Sequence, residues 1–165
     1  MTRSALGFYV ALALGCAALD QWIKRLVVDT MALYERIDVM PFLSLFHTRN
    51  TGIAFSFLSG VDDRAMVVLM LVVMAFITWL AVRSDSRQYF ARIGFALIIG
   101  GALGNVVDRA LLGYVVDYIL FHTESWSFAV FNLADAFITI GAGFVILQEF
   151  LDWRAWPRRD PPSTG

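Results

Sequence analysis

The chain has 165 residues, of which 59% are hydrophobic, 15% aromatic and only 16% charged, with a formal net charge of −1 and a mean hydropathy of +0.67. Soluble domains carry about 45–50% apolar and about 25% charged residues, so this is the composition of an integral membrane protein of single-domain length. The balanced charge excludes a nucleic-acid binder, which needs a basic excess, and the single cysteine, Cys16, supports neither an internal disulfide nor a thiolate zinc site.

Four stretches are free of charge or nearly so: residues 4–19, 65–82, 88–107 with only Arg92, and 136–148. A membrane-spanning helix needs about 20 residues. Only the second run nears that length alone. The others reach it by drawing Asp20, Asp108 and Asp135 into a helix end, which is costly unless the acids have a use. The pattern predicts helices over about 4–24, 65–82, 88–108 and 133–151 in a single domain of residues 1–165, with a disordered tail over about 157–165. With a cytoplasmic N-terminus and alternating helices, the short inner segments hold Arg3, Arg83, Arg87, Arg92, Arg154, Arg158 and Arg159. The far longer outer segments hold Lys24, Arg25, Arg36, Arg49, Arg64 and Arg109. The positive-inside rule then places both termini in the cytoplasm. In that topology the helix ends bearing Asp20, Asp108 and Asp135 share the outer face.

The run Ala13-Leu14-Gly15-Cys16 mimics the lipidation box of a bacterial lipoprotein signal sequence. A lone Arg3 before it, Ala13 where leucine is usual and three further spans favour a retained helix with a core cysteine.

Between the first two helices, Phe42, Ser44, Phe46 and Thr48 alternate with Leu43, Leu45 and His47, and Asn50-Thr51-Gly52 reads as a turn. Two more β-like stretches, Tyr114–Ile119 and Trp126–Phe131, flank a turn at residues 122–125. The expected fold class is therefore mainly α: four transmembrane helices with a small β-sheet subdomain on the outer face, from segments about 40–57 and 114–131. Phe42, Phe46, Phe55, Phe57, Trp126 and Phe128 would form its apolar side.

Polar residues concentrate in the same places. Asp20 and Lys24 stand i, i+4 with the acid first, the favourable order for a helical ion pair, either as a solvated surface pair or as part of a site. On the third helix Gly101, Gly104, Asn105 and Asp108 share one face; glycines there let a neighbouring helix approach, but packing does not explain the amide and the carboxylate. Asp108 followed by Arg109 reads as a self-neutralising pair or an orienting network. Asn132 is a good N-cap, with Asp135 at the third helical position. Asp117 interrupts the apolar run Tyr114–Leu120, where an acid is disfavoured. Two carboxyl groups in a poorly solvated place share a proton and titrate as a unit, which supplies a general base for water and a general acid for a leaving amine. The sequence holds no H-E-x-x-H and no G-x-S-x-G, and Cys16 has no activating motif that would make it a partner for His47 or His122.

Five segments occur in order: Asp20-Gln21-Trp22-Ile23-Lys24, Asn50-Thr51-Gly52-Ile53-Ala54-Phe55, Gly100 to Arg109, Val116-Asp117, and Phe131-Asn132-Leu133-Ala134-Asp135. Together they resemble the bacterial lipoprotein signal peptidases, the signal peptidase II family, over about residues 5–152. The resemblance implies an intramembrane aspartyl endopeptidase of the bacterial inner membrane. It would cut the signal peptide from diacylglyceryl-modified prolipoproteins on the N-terminal side of the lipidated cysteine. It implies a catalytic pair of Asp117 and Asp135, with Asp20, Lys24, Asn50, Gly52, Gly104, Asn105, Asp108, Arg109, Asn132 and Ala134 binding substrate or supporting the pair. It also implies no metal or cofactor, a monomer among membrane lipids, and inhibition by globomycin-type cyclic peptides. Ile53 departs from the small residues common at its position in the family. Two other classes remain: a proton-coupled transporter or channel subunit, which would spread its acids through the membrane depth, and a non-catalytic assembly factor.

Overall fold

The charge-poor runs fold as α1 (Arg3–Thr30), α2 (Asp63–Arg83), α3 (Tyr89–Leu112) and α4 (Leu133–Ala155), and the intervening chain supplies β1 (Arg36–Met40), β2 (Leu43–Asn50) and β3 (Val115–Phe121). This computed structural model describes residues 3–52, 63–85 and 87–155. Each helix contains a segment long and apolar enough to cross a membrane: Ala5–Thr30, Arg64–Arg83, Tyr89–Leu112 and Leu133–Ala155. The fold class is the one the sequence predicts, four membrane-capable helices with a small antiparallel sheet.

α3 is the central helix and packs on each of the other three. Lipid gives apolar helices no hydrophobic reason to associate, so close backbone approach has to supply the contact. Gly100 sits against the Ala13 carbonyl of α1, while Gly94 and Gly141 put α3 against α4, each within reach of the other's carbonyl. The expected stripe of small residues on α3 thus serves two neighbours.

The sheet has order β1-β2-β3, antiparallel throughout, with bulges in both pairings. It lies at the end where α1 and α3 finish and α4 begins. Beneath it Val27 and Met31 of α1 pack on Val116 and Tyr118 of β3; burying an apolar side chain of this size contributes about 1.5–3 kcal/mol where the alternative is water. His47 is buried there too, its Nδ1 3.1 Å from the Met31 carbonyl oxygen.

Three expectations need correction. α1 continues to Thr30 rather than stopping near residue 24. β1 was not foreseen, because all five of its residues are exposed and give no alternation. Residues 126–131 are not a strand: only the isolated bridges Ile119↔Phe131 and His122↔Ser127 form. Phe42, Trp126 and Phe128 are exposed, as membrane-interface aromatics are. Phe55, Phe57, Ile53 and the expected disordered tail lie outside the described residues.

Candidate active site

A helix leaves its first backbone N–H groups without internal partners. At α4 each of the first three finds a side chain: Leu133 N donates to Tyr118 Oη (3.3 Å), Ala134 N to Asp20 Oδ1 (2.9 Å) and Asp135 N to Asn132 Oδ1 (3.0 Å). Asn132 N donates back to Asp135 Oδ2 at 3.3 Å, a reciprocal cap that fixes both side chains. The positive end of the helix dipole favours the acids gathered there.

Asp20 reaches this helix end only because Gly104 lets it pass; a Cβ on Gly104 would collide with its carboxylate. One turn further along α1, Lys24 is 3% exposed. Its Nζ lies 2.8 Å from Asp20 Oδ2 and 2.9 Å from Asp108 Oδ2 as ion pairs and donates to Asn105 Oδ1 at 2.8 Å, so the ammonium is held among two carboxylates and an amide oxygen. The Asp20–Lys24 pair is therefore a buried junction of α1 with α3, not a solvated surface pair.

Asp108 also accepts from Gln21 Nε2 (2.7 Å, Oδ1) and Val116 N (3.0 Å, Oδ2), tying α1 and β3 to α3. Of the two readings of Asp108–Arg109, the self-neutralising pair does not form, and Asp108 belongs to a network instead. Consecutive helical residues point about 100° apart; Lys24 takes Asp108, whereas Arg109 Nη1 lies 3.7 Å from Met66 Sδ, beside Gly52.

Two amides link this junction to the candidate pair. Asn105 Oδ1 accepts from Lys24 and from Asn132 Nδ2 (3.2 Å), and Asn105 Nδ2 donates to Asp135 Oδ1 (2.8 Å). The cation determines which end of Asn105 faces which neighbour. Asn132 Nδ2 donates to Asp117 Oδ1 at 2.7 Å. Asn50 hydrogen-bonds Asp117 from another side, and its Oδ1 accepts from Gly52 N (2.9 Å). Gly52 has a φ of +89°, and a Cβ there would meet Met66 Cε at 2.8 Å, so the turn that aims Asn50 needs glycine.

Asp117 is 2% exposed. Burial, reinforced by the Asp135 charge nearby, pushes its carboxyl from the ordinary 3.8 up to about 6, against the opposing effect of the Asn50 and Asn132 hydrogen bonds. Asp135 differs: it also borders an open cavity of about 510 Å³ walled by Phe121, Trp126, Phe128 and Phe131. One carboxyl group is thus held deep among amides while its neighbour faces an aromatic groove.

Gln21 and Tyr118 were not singled out from sequence. Gln21 donates to the Gly104 carbonyl (3.0 Å) as well as to Asp108; positions 20, 21 and 24 lie on one side of a helix, a usable signal once Asp20 and Lys24 were chosen. Tyr118 carried none, because its place as an acceptor depends on tertiary packing. Cys16 is buried against Gly100, away from His47 and His122. Among the described residues no three His, Cys, Asp or Glu side chains converge as a metal site.

Four membrane-capable helices that bring a buried and a half-buried carboxyl group together on a shared amide network have the arrangement of a membrane-embedded aspartic-type peptidase. The comparisons agree. A family model described as Signal peptidase (SPase) II matches residues 12–151, and the chain belongs to the signal peptidase II family of aspartic-type peptidases. It is 54% identical over 154 residues to the lipoprotein signal peptidase of Mesorhizobium japonicum, covering 93% of this chain and 92% of that protein. Against the lipoprotein signal peptidase of Brucella ovis it is 52% identical, covering 93% and 96%. A bacterial membrane enzyme solved by the in meso method at 2.3 Å resolution superposes with a TM-score of 0.82 at 28% identity, over 94% of each chain. A second, at 1.9 Å resolution, gives 0.80 at 29% identity, over 88% of this chain and 94% of that one. This is a multi-pass membrane protein.

Proposed function

We propose that the chain cleaves prolipoproteins bearing a diacylglyceryl-modified cysteine, with Asp117 and Asp135 as the catalytic pair. The observation that carries the reading is the pairing of a carboxyl group raised to about 6 with a second one at the rim of an aromatic groove, both held by Asn105 and Asn132. The ionised member of the pair takes a proton from water as the water oxygen attacks the scissile carbonyl carbon. The protonated member gives its proton to the departing amine as the C–N bond breaks, leaving a signal-peptide carboxylate and a free amine on the lipidated cysteine. Both of Asn132's amide atoms are occupied internally, and Asn50 is engaged by Gly52 N and Asp117, so both amides position the pair. The signal helix enters laterally, and the acyl chains stay in lipid along the aromatic groove.

The site lies at the outer face of a bacterial inner membrane with both termini cytoplasmic, in a monomer open to globomycin-type cyclic peptides. The test is cleavage of prolipoprotein with and without its diacylglyceryl group, by wild type, Asp117→Asn and Asp135→Asn. Cleavage of the lipidated substrate alone, with both variants silent, is expected. Wild-type turnover by either variant overturns the pair.

A further inference from the structure

At the opposite end of α3 lies a charged side chain that the peptidase reading does not use. Arg92 is 7% exposed. It precedes Asn105 by 13 residues, about 20 Å of helix axis. Among the described residues its guanidinium has no carboxylate or carbonyl partner; its one neighbour of note is the Tyr9 ring, 4.9 Å from Cζ to the centroid. A largely shielded guanidinium with no protein anion beside it is the kind of group that an anion completes.

Arg92 heads a groove of about 240 Å³ that runs along α3 to Leu103, between Val10 and Leu14 of α1 and Val82 of α2. Among the described residues α1 and α2 both pack chiefly on α3, and the groove lies between them. From Arg92 to Leu103 the path is about 16 Å, and apart from Arg92 its walls are almost wholly apolar. The cation sits one turn inside the start of α3, near one end of a helix long and apolar enough to cross a membrane.

We infer that this groove is a glycerophospholipid site, with the phosphodiester on Arg92 and one acyl chain lying between α1 and α2. A soluble anion matches the cation but not the apolar groove. A neutral diacylglycerol matches the groove but leaves the guanidinium bare.

The test is binding to delipidated full-length protein in detergent, read by native mass spectrometry and thermal stability, with phosphatidylglycerol, diacylglycerol and inorganic phosphate as separate probes. Phosphatidylglycerol is expected to bind and to raise the melting temperature, while the other two leave it unchanged. Arg92→Gln should weaken phosphatidylglycerol binding at least about tenfold, the scale of one lost charge-assisted hydrogen bond. Val10→Trp, which keeps Arg92 but fills the groove from a half-exposed position, should weaken it as well and guards against misfolding of the first variant. Equal retention by wild type and both variants overturns the site. Equal stabilisation by diacylglycerol overturns the phosphate contact, and stabilisation by inorganic phosphate alone overturns the lipid.

Discussion

Asp117 is placed for chemistry at the expense of stability, and that expense is measurable. Its carboxyl holds a proton up to about 6 in the folded protein and only to 3.8 otherwise. Below 3.8 the group is neutral in both states and stability is unaffected. As pH rises from 3.8 to about 6 the unfolded chain ionises first, so the folded state loses ground, and above about 6 the loss is complete. At 1.36 kcal/mol per pH unit the full loss is about 3 kcal/mol. Asp117→Asn removes the ionisation while keeping an oxygen that can accept from Asn132 Nδ2. The variant should be inactive yet more stable than wild type at neutral pH by about 3 kcal/mol, a melting temperature higher by roughly 6–12 °C. Thermal unfolding of both proteins in one detergent, from pH 3.5 to 7.5, reads the effect directly. The two curves should converge at the acid end and separate through the window from 3.8 to about 6. A difference independent of pH would falsify the argument, as would a wild type that is the more stable at pH 7.

Four further outcomes follow from the same geometry. Lys24→Gln removes the cation from two buried carboxyl groups and should cost about 3–5 kcal/mol; an unfolding curve shifted by less than 1 kcal/mol would show the junction to be solvated. Gly104→Ala drives a methyl into Asp20, whereas Gly143 has open space around its Cβ position. The first should therefore lose folded yield and activity, and Gly143→Ala should be neutral or gain about 0.5–1 kcal/mol. Asn132→Ser retains a helix cap but withdraws the amide from Asp117, so stability within about 1 kcal/mol of wild type and a large fall in kcat at unchanged KM are expected. Activity itself should be bell-shaped, lost in acid when both carboxyl groups are protonated and lost again as pH climbs past the upper ionisation, which stands near 6 in the free enzyme; a flat kcat/KM from pH 4 to 9 rules out a shared proton.

How much of this could be read beforehand depended on whether the signal was local. Charge-free runs reveal helices because lipid tolerates little else, and the three acids at their ends stand out for the same reason. The extension of α1 to Thr30 was hidden by Lys24, Arg25 and Asp29, which end the apolar run without ending the helix; Arg25 and Asp29 pair along it at 2.9 Å. β1 is an edge strand exposed on every residue, so no alternation marks it. Residues 126–131 have a strand's composition but hydrogen-bond to β3 only through Phe128 and Phe131, without a continuous ladder, because composition sets propensity and not pairing. Of the two readings of Asp108–Arg109, the network and not the pair is found, because adjacency in sequence is divergence on a helix.

The same distinction explains why the two halves of the polar cluster behave differently. Asp20 and Asp108 share one buried ammonium, so they are fixed points that weld α1, α3 and β3 together. Among the described residues Asp117 and Asp135 have no cation in contact and receive only neutral amides. An ion partner would hold both carboxylates charged and leave no proton to give away; amides orient an acid without deciding its charge so firmly. Lys24 acts on the pair at second hand, by turning the Asn105 oxygen toward itself so that the Asn105 nitrogen must face Asp135. Replacing Asn105 by aspartate would supply no donor on that side and would set a third carboxyl group beside the pair. Its loss of activity should therefore exceed that of Asn105→Gln, whose longer amide keeps both a donor and an acceptor, and equal losses in the two variants would mean that Asn105 serves only to pack α3 against α4.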